Sequence, residues 1–314
     1  MQPVKHPFHL YLCRNPPGFR FFFYIPWGII SPVNLKNYLT FWSVELTTRG
    51  ISSYLIDRTS NMQKSYNIYN NLGYWFLTYI VLVFGGFYHS YFSDILKPRP
   101  GLIHLHFILM AIWVIMLIVQ PFLVKYKKLV LHRAIGKFSY VFVPALLITT
   151  YLVIRREYFN SIKRITGQSA KAVVPFSQDQ IMQKAALFSS IATYYFILFI
   201  IFYALAVYNR KKSPMHARYM MATSLTLLGP TVDRILFNVF HLEFLPGKIP
   251  IESLSFFIAD AVLGYLLWKD YSKKKPTRAL VTAFLITFLA QVLYFSLQDS
   301  YVFSKFMAFF MRPA

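Results

Sequence analysis

The chain has 314 residues, of which 56% are hydrophobic, 19% aromatic and only 14% charged, with a formal net charge of +22. A soluble domain carries about 25% charged residues, so the composition argues against one and for a chain that lives in lipid. The positive charge lies in short clusters between apolar runs rather than on one domain, which argues against a nucleic-acid partner. A single cysteine, Cys13, excludes an intramolecular disulfide and any cysteine-based zinc or iron–sulfur site.

Residues 1–61 differ from the rest. They carry Pro16-Pro17 and Phe21-Phe22-Phe23-Tyr24, broken by Pro26, and hold no apolar run long enough to span a bilayer. They lack the charged, apolar, small-residue order of a signal peptide. Two readings of this N-terminal extension are open: an interfacial aromatic segment, or a start-site artefact upstream of a working start at Met62. The closeness of Met62 to the first span favours the second.

Residues 62–314 form the transmembrane helical domain. Apolar runs of about 20 residues, the length needed to cross a bilayer, predict spans over 73–92, 101–124, 137–154, 185–208, 215–240, 251–268 and 279–297. The expected fold class is all-α, a polytopic transmembrane helical bundle of about seven spans. Pro144 and Pro230 fall inside two of them and predict kinks. Trp75, Trp113, Tyr208 and Trp268 suit interface anchors, being mostly near span ends.

Lys125, Lys127, Lys128 and Arg133 follow the second span, Arg210, Lys211, Lys212 and Arg218 the fourth, and Lys273, Lys274, Lys275 and Arg278 the sixth. Short basic loops on alternate connections place the N-terminus in the cytoplasm and the C-terminus outside. The exception is the stretch after the third span, with Arg155, Arg156, Lys163 and Arg164. The lipid bilayer is the main partner expected, with anionic headgroups at the basic loops.

Six of the eight histidines sit at or just beyond span ends. His89, His104, His106 and His241 fall toward the outer face, and His132 and His216 toward the cytoplasm. Histidine titrates and binds metals near neutral pH, and ionisable groups in a membrane span are functional candidates by default.

His106, Trp113 and Gln120 are seven residues apart and share one helical face, which must point into the bundle. His104, about 200° from His106, looks elsewhere. In the fifth span His216 and Arg234 are five turns apart and point the same way, with His241 close to that stripe. Asp233 diverges from Arg234 by about 100°, and Asp260 in the sixth span is the expected partner of Arg234. In Leu131-His132-Arg133, His132 and Arg133 suit an anionic headgroup or a meeting with His216 and Arg218, and Gly136 would let a neighbour approach closely. Interhelical hydrogen bonding or a purely structural ion pair explains these groups as well.

The ordered set His106-Trp113-Gln120, Leu131-His132-Arg133 with Gly136, and His216-x-Arg218-Tyr219-Met220 with a later Arg234 resembles an uncharacterised family of predicted bacterial multi-span membrane proteins. The resemblance covers about residues 70–270. It implies a bacterial inner-membrane location and little about activity.

Three functions are weighed. The first is a haem-binding or quinone-linked redox protein using the histidines at the span ends. His216 and His241 are about 37 Å apart along one helix, more than the ~30 Å hydrocarbon core, which disfavours two stacked haems. The second is a proton-coupled transporter with a mid-membrane site at Asp233, Arg234 and Asp260, against which stands the absence of an inverted repeat. A metal hydrolase ranks below both, since no HxxxH or HExxH spacing occurs. A non-catalytic assembly role stays open.

Overall fold

The computed structural model describes residues 71–242, 244–246 and 249–312, all within one unit, Asn61–Ala314. The N-terminal extension and Met62 lie outside the described residues. The rest is almost entirely helical: α1 (Leu72–Phe87), a π-helical turn (Tyr88–Phe92), α2 (Gly101–Lys125), α3 (Leu129–Ser169), α4 (Gln178–Tyr208), α5 (Ser213–Asn238), α6 (Glu252–Ser272), α7 (Arg278–Leu297) and α8 (Tyr301–Phe310). A minimal antiparallel ribbon, β1 (Phe244–Leu245) with β2 (Ile249–Pro250), sits between α5 and α6.

Among the described residues, five helical segments are long and apolar enough to cross a membrane: Leu72–Phe92, Gly101–Lys125, Leu129–Ser169, Gln178–Tyr208 and Arg278–Leu297. They make this a candidate multi-pass membrane protein. α5 and α6 stand at two of the expected span positions but are less apolar. The reason is plain for α5, which is packed by α1, α4, α6 and α7. A helix enclosed by other helices needs small and polar residues more than lipid-facing ones. Thr223, Ser224, Thr226 and Thr231 are buried there, and each hydroxyl donates to a carbonyl one turn back in α5.

Two glycines set how closely α5 is approached. A Cβ on Gly86 of α1 would lie 2.6 Å from the Thr231 carbonyl oxygen, so the two backbones touch there. A Cβ on Gly229 would run into the Tyr195 hydroxyl of α4. Gly136, by contrast, faces open space, and the close neighbour expected at it is absent.

The third helix departs most from expectation. It runs 41 residues, about 61 Å, well past the predicted end at Ile154. Residues 155–169 hold their apolar side chains at helical spacing, so the charges Arg155, Arg156, Lys163 and Arg164 decorate a helix rather than a loop. Their inner face packs with the start of α4 and with α8: Ile154, Tyr158, Ile165, Ile181, Ala185, Ala186, Met307 and Met311 form a second, smaller core. α4 opens with a capping box, in which Ser177 Oγ accepts from the Gln180 backbone N–H and Gln180 accepts from that of Ser177.

The α2–α3 and α6–α7 turns close alike. The N–H of Lys128 donates to the Leu123 carbonyl and that of Lys127 to Val124, while Lys275 donates to Asp270 and Lys274 to Tyr271. These are Schellman closures, with Lys127 (φ 59°) and Lys274 (φ 51°) in the left-handed position glycine usually takes.

Candidate functional site

The alternating helices bring the polar side chains together at two levels. The basic end gathers the α2–α3, α4–α5 and α6–α7 turns. The opposite end gathers the start of α2, the start of α6 and the last turns of α5.

At the basic end, the shared face of α2 points inward as its spacing predicts. Trp113 is 1% exposed and packs edge-on against Phe199 and Tyr203 of α4. Gln120 Nε2 donates to the His132 carbonyl at 3.3 Å, joining α2 to α3. His132 approaches His216 of α5 closely enough for their charges to interact. His216 Nδ1 bonds the Ala206 carbonyl of α4 at 2.8 Å, which makes Nδ1 the protonated nitrogen and leaves Nε2 as the basic one. Trp113 Nε1, Gln120 Oε1 and His132 Nδ1 are all buried with no hydrogen-bond partner among the described residues. Three such atoms on one side of the bundle mark a polar lining, since buried polar groups are normally satisfied.

Beside it lies an ion pair that the sequence did not single out. Arg218 Nη2 and Asp270 Oδ2 meet at 2.6 Å, and Nε donates to the same oxygen at 2.7 Å. Lys275, in the turn beyond α6, is held below the ordinary lysine range by burial, which the Asp270 carboxylate partly offsets.

At the opposite end, His106 Nδ1 and Thr149 Oγ1 of α3 are 3.4 Å apart, and His106 lies near the Arg234 guanidinium. Arg234 Nη1 donates to the Pro230 carbonyl at 2.8 Å, and its guanidinium sits over the Phe87 ring at 4.6 Å. The expected Arg234–Asp260 pair does not form. Asp260 instead accepts from Gln291 of α7 at 3.1 Å, five residues further along α6 than Ser255, which faces Asp233. Asp233 turns toward Ser255 of α6, whose hydroxyl is 3.0 Å from the Tyr195 hydroxyl, while Asp233 Oδ1 is buried without a partner.

Three histidines leave these groups. His104 Nδ1 bonds the Tyr91 hydroxyl at 2.8 Å, away from His106 as the helical angle required. His89 is exposed in the π-helical turn. His241 is exposed in a left-handed conformation (φ 53°), three residues beyond the end of α5, so it does not continue the His216–Arg234 stripe. Nor do His216 and Arg234 share neighbours, since one bonds α4 and the other stacks on α1. Among the described residues, no group of three or more His, Cys, Asp or Glu side chains could hold a metal ion.

The chain matches no protein-family model, no curated protein and no solved structure.

Proposed function

We propose that this is a membrane redox protein whose haem- or quinone-binding site lies between α2, α3 and α5 at the basic end. The observation that carries the reading is the buried His132 Nδ1, left without a hydrogen-bond partner among the described residues, together with His216 of α5 fixed by the Ala206 carbonyl. A backbone carbonyl on Nδ1 is the usual arrangement behind an imidazole that ligates through Nε2. For a haem, His132 and His216 would be the candidate residues to hold the iron, and Arg133 and the lysines of the adjoining turns would balance its propionates. For a quinone, the unpartnered Trp113, Gln120 and His132 atoms are the donors and acceptors for its carbonyl oxygens. Either group would supply electron transfer; the protein supplies orientation, charge balance and exclusion of water.

The reading carries a topology with it. α1 to α7 make seven crossings of a bacterial inner membrane, with the basic turns and the N-terminus in the cytoplasm and anionic headgroups around Lys125–Lys128 and Lys273–Lys275.

Absorption spectra of the full chain, expressed with haem supplementation, test it together with quinone analysis of the lipid extract. A Soret band lost in both His132→Ala and His216→Ala, or co-purifying quinone lost in Gln120→Leu, is the expected result. Neither signal in the native protein overturns the proposal.

A further inference from the structure

α5 carries the same device twice. In Pro214-Met-His-Ala-Arg218 and again in Pro230-Thr-Val-Asp-Arg234, the arginine Nη1 donates to the proline carbonyl four residues earlier, at 2.7 and 2.8 Å. The bond tethers each guanidinium to the helix and fixes where its remaining donors point. At Arg218 those donors meet the Asp270 carboxylate. At Arg234 no ion pair forms among the described residues: Asp260 is turned to Gln291 and Asp233 toward Ser255. Glu157 of α3 is near enough for its charge to be felt, but it is paired with Arg156 at 2.9 Å.

The surroundings of Arg234 are built, not incidental. Contact between the Gly86 and Thr231 backbones sets the register of α1 against α5. One residue beyond Gly86, Phe87 lays its ring on the guanidinium face. His106 of α2, 3.4 Å from Thr149 Oγ1, lies within range of the Arg234 charge. Arg234 is exposed, with the Phe87 ring covering one face of its guanidinium, so its remaining donors are open to a ligand. A guanidinium stacked on a ring keeps its edge free, and that edge matches two oxygens of a carboxylate or phosphate. Among the described residues no carboxylate reaches ion-pair distance of Arg234, although the charges of Asp233 and Glu157 are felt there, so an anion on its remaining donors would make the direct pair.

We propose that Arg234, with Phe87 beneath it and His106 beside it, forms an anion-binding recess that takes a carboxylate or phosphate group. That group comes from a free small anion or from an anionic lipid headgroup. The site is at the other end of the bundle from His132 and His216 and does not depend on the redox reading.

The test uses the full chain in phosphatidylcholine nanodiscs, with thermal unfolding followed against inorganic phosphate and succinate at constant ionic strength. A parallel set replaces part of the lipid with phosphatidylglycerol. Stabilisation by the soluble anions in phosphatidylcholine assigns a free anion; stabilisation by phosphatidylglycerol alone assigns a headgroup. In either arm Arg234→Gln shifts the half-maximal concentration about tenfold or more, His106→Gln shifts it less, and Arg312→Gln, at an exposed terminal site, leaves it unchanged. No response by the native chain in either arm, or an Arg234→Gln response equal to the native one, overturns the proposal. Should Arg234→Gln fail to fold, Phe87→Leu removes the stacking ring and keeps the charge. A weakened response then supports the recess, and an unchanged one overturns it.

Discussion

Arg218 and Asp270 form an ion pair inside the bundle, Nε and Nη2 both on the same carboxylate oxygen, with side chains only 1% and 3% exposed. It joins the second turn of α5 to the last turn of α6 and ties the two helices together at the basic end. Removing one partner leaves the other charge buried, a loss of about 3–5 kcal/mol. Arg218→Gln and Asp270→Asn should each lower the unfolding midpoint in a denaturant titration of the detergent-solubilised protein. The double replacement Arg218→Met with Asp270→Leu should cost less than either single change. A double variant as unstable as the sum of the singles would show that the two residues act separately.

Glycine-to-alanine changes should separate contact from propensity. Gly86→Ala pushes a methyl group into the Thr231 backbone, which cannot turn aside, and should destabilise by about 1–3 kcal/mol. Gly136→Ala meets nothing and should stabilise α3 by up to about 1 kcal/mol. Thermal unfolding of the two variants side by side checks the opposite signs.

Gly229 gives a stricter case, because the obstructing group can be removed. Gly229→Ala collides with the Tyr195 ring and hydroxyl and should lower stability by about 2 kcal/mol or more. In a Tyr195→Leu background the same change should cost clearly less. An equal cost in both backgrounds would mean that a neighbour other than Tyr195 rejects the methyl group.

The capping box at the start of α4 sits outside the apolar part of that helix, so its effect can be read without disturbing the bundle. Ser177→Ala removes the acceptor for the Gln180 N–H and should cost about 1 kcal/mol. Faster amide exchange at residues 178–181 is the local signature to look for.

Periodicity made the inward face of α2 legible. Seven-residue spacing put His106, Trp113 and Gln120 on one side, and all three reach the bundle interior, while the angle to His104 sent it to Tyr91. Helical phase could say which way a side chain faces but not how far along a neighbouring helix its partner sits. That is why Asp260 was matched to Arg234 when its level suits Gln291. The Arg218–Asp270 pair was hidden for the same reason: its members are 52 residues apart, and both look like ordinary loop-flanking charges in the chain. The end of α3 was misjudged because a run of arginines marks a membrane boundary without marking a helix end.

The length of α3 has a mechanical meaning. One uninterrupted helix carries Thr149, in contact with His106, and Tyr151 and Arg155, whose side chains bond the Phe310 and Met311 carbonyls at the end of α8. No loop separates the two places, so a torque on the small core of α3, α4 and α8 reaches the level of His106 and Arg234 without loss to a flexible joint. Pro144, one turn below Thr149, is the only proline in that rod. Whatever grips the far end of α3 therefore has a rigid handle on the recess.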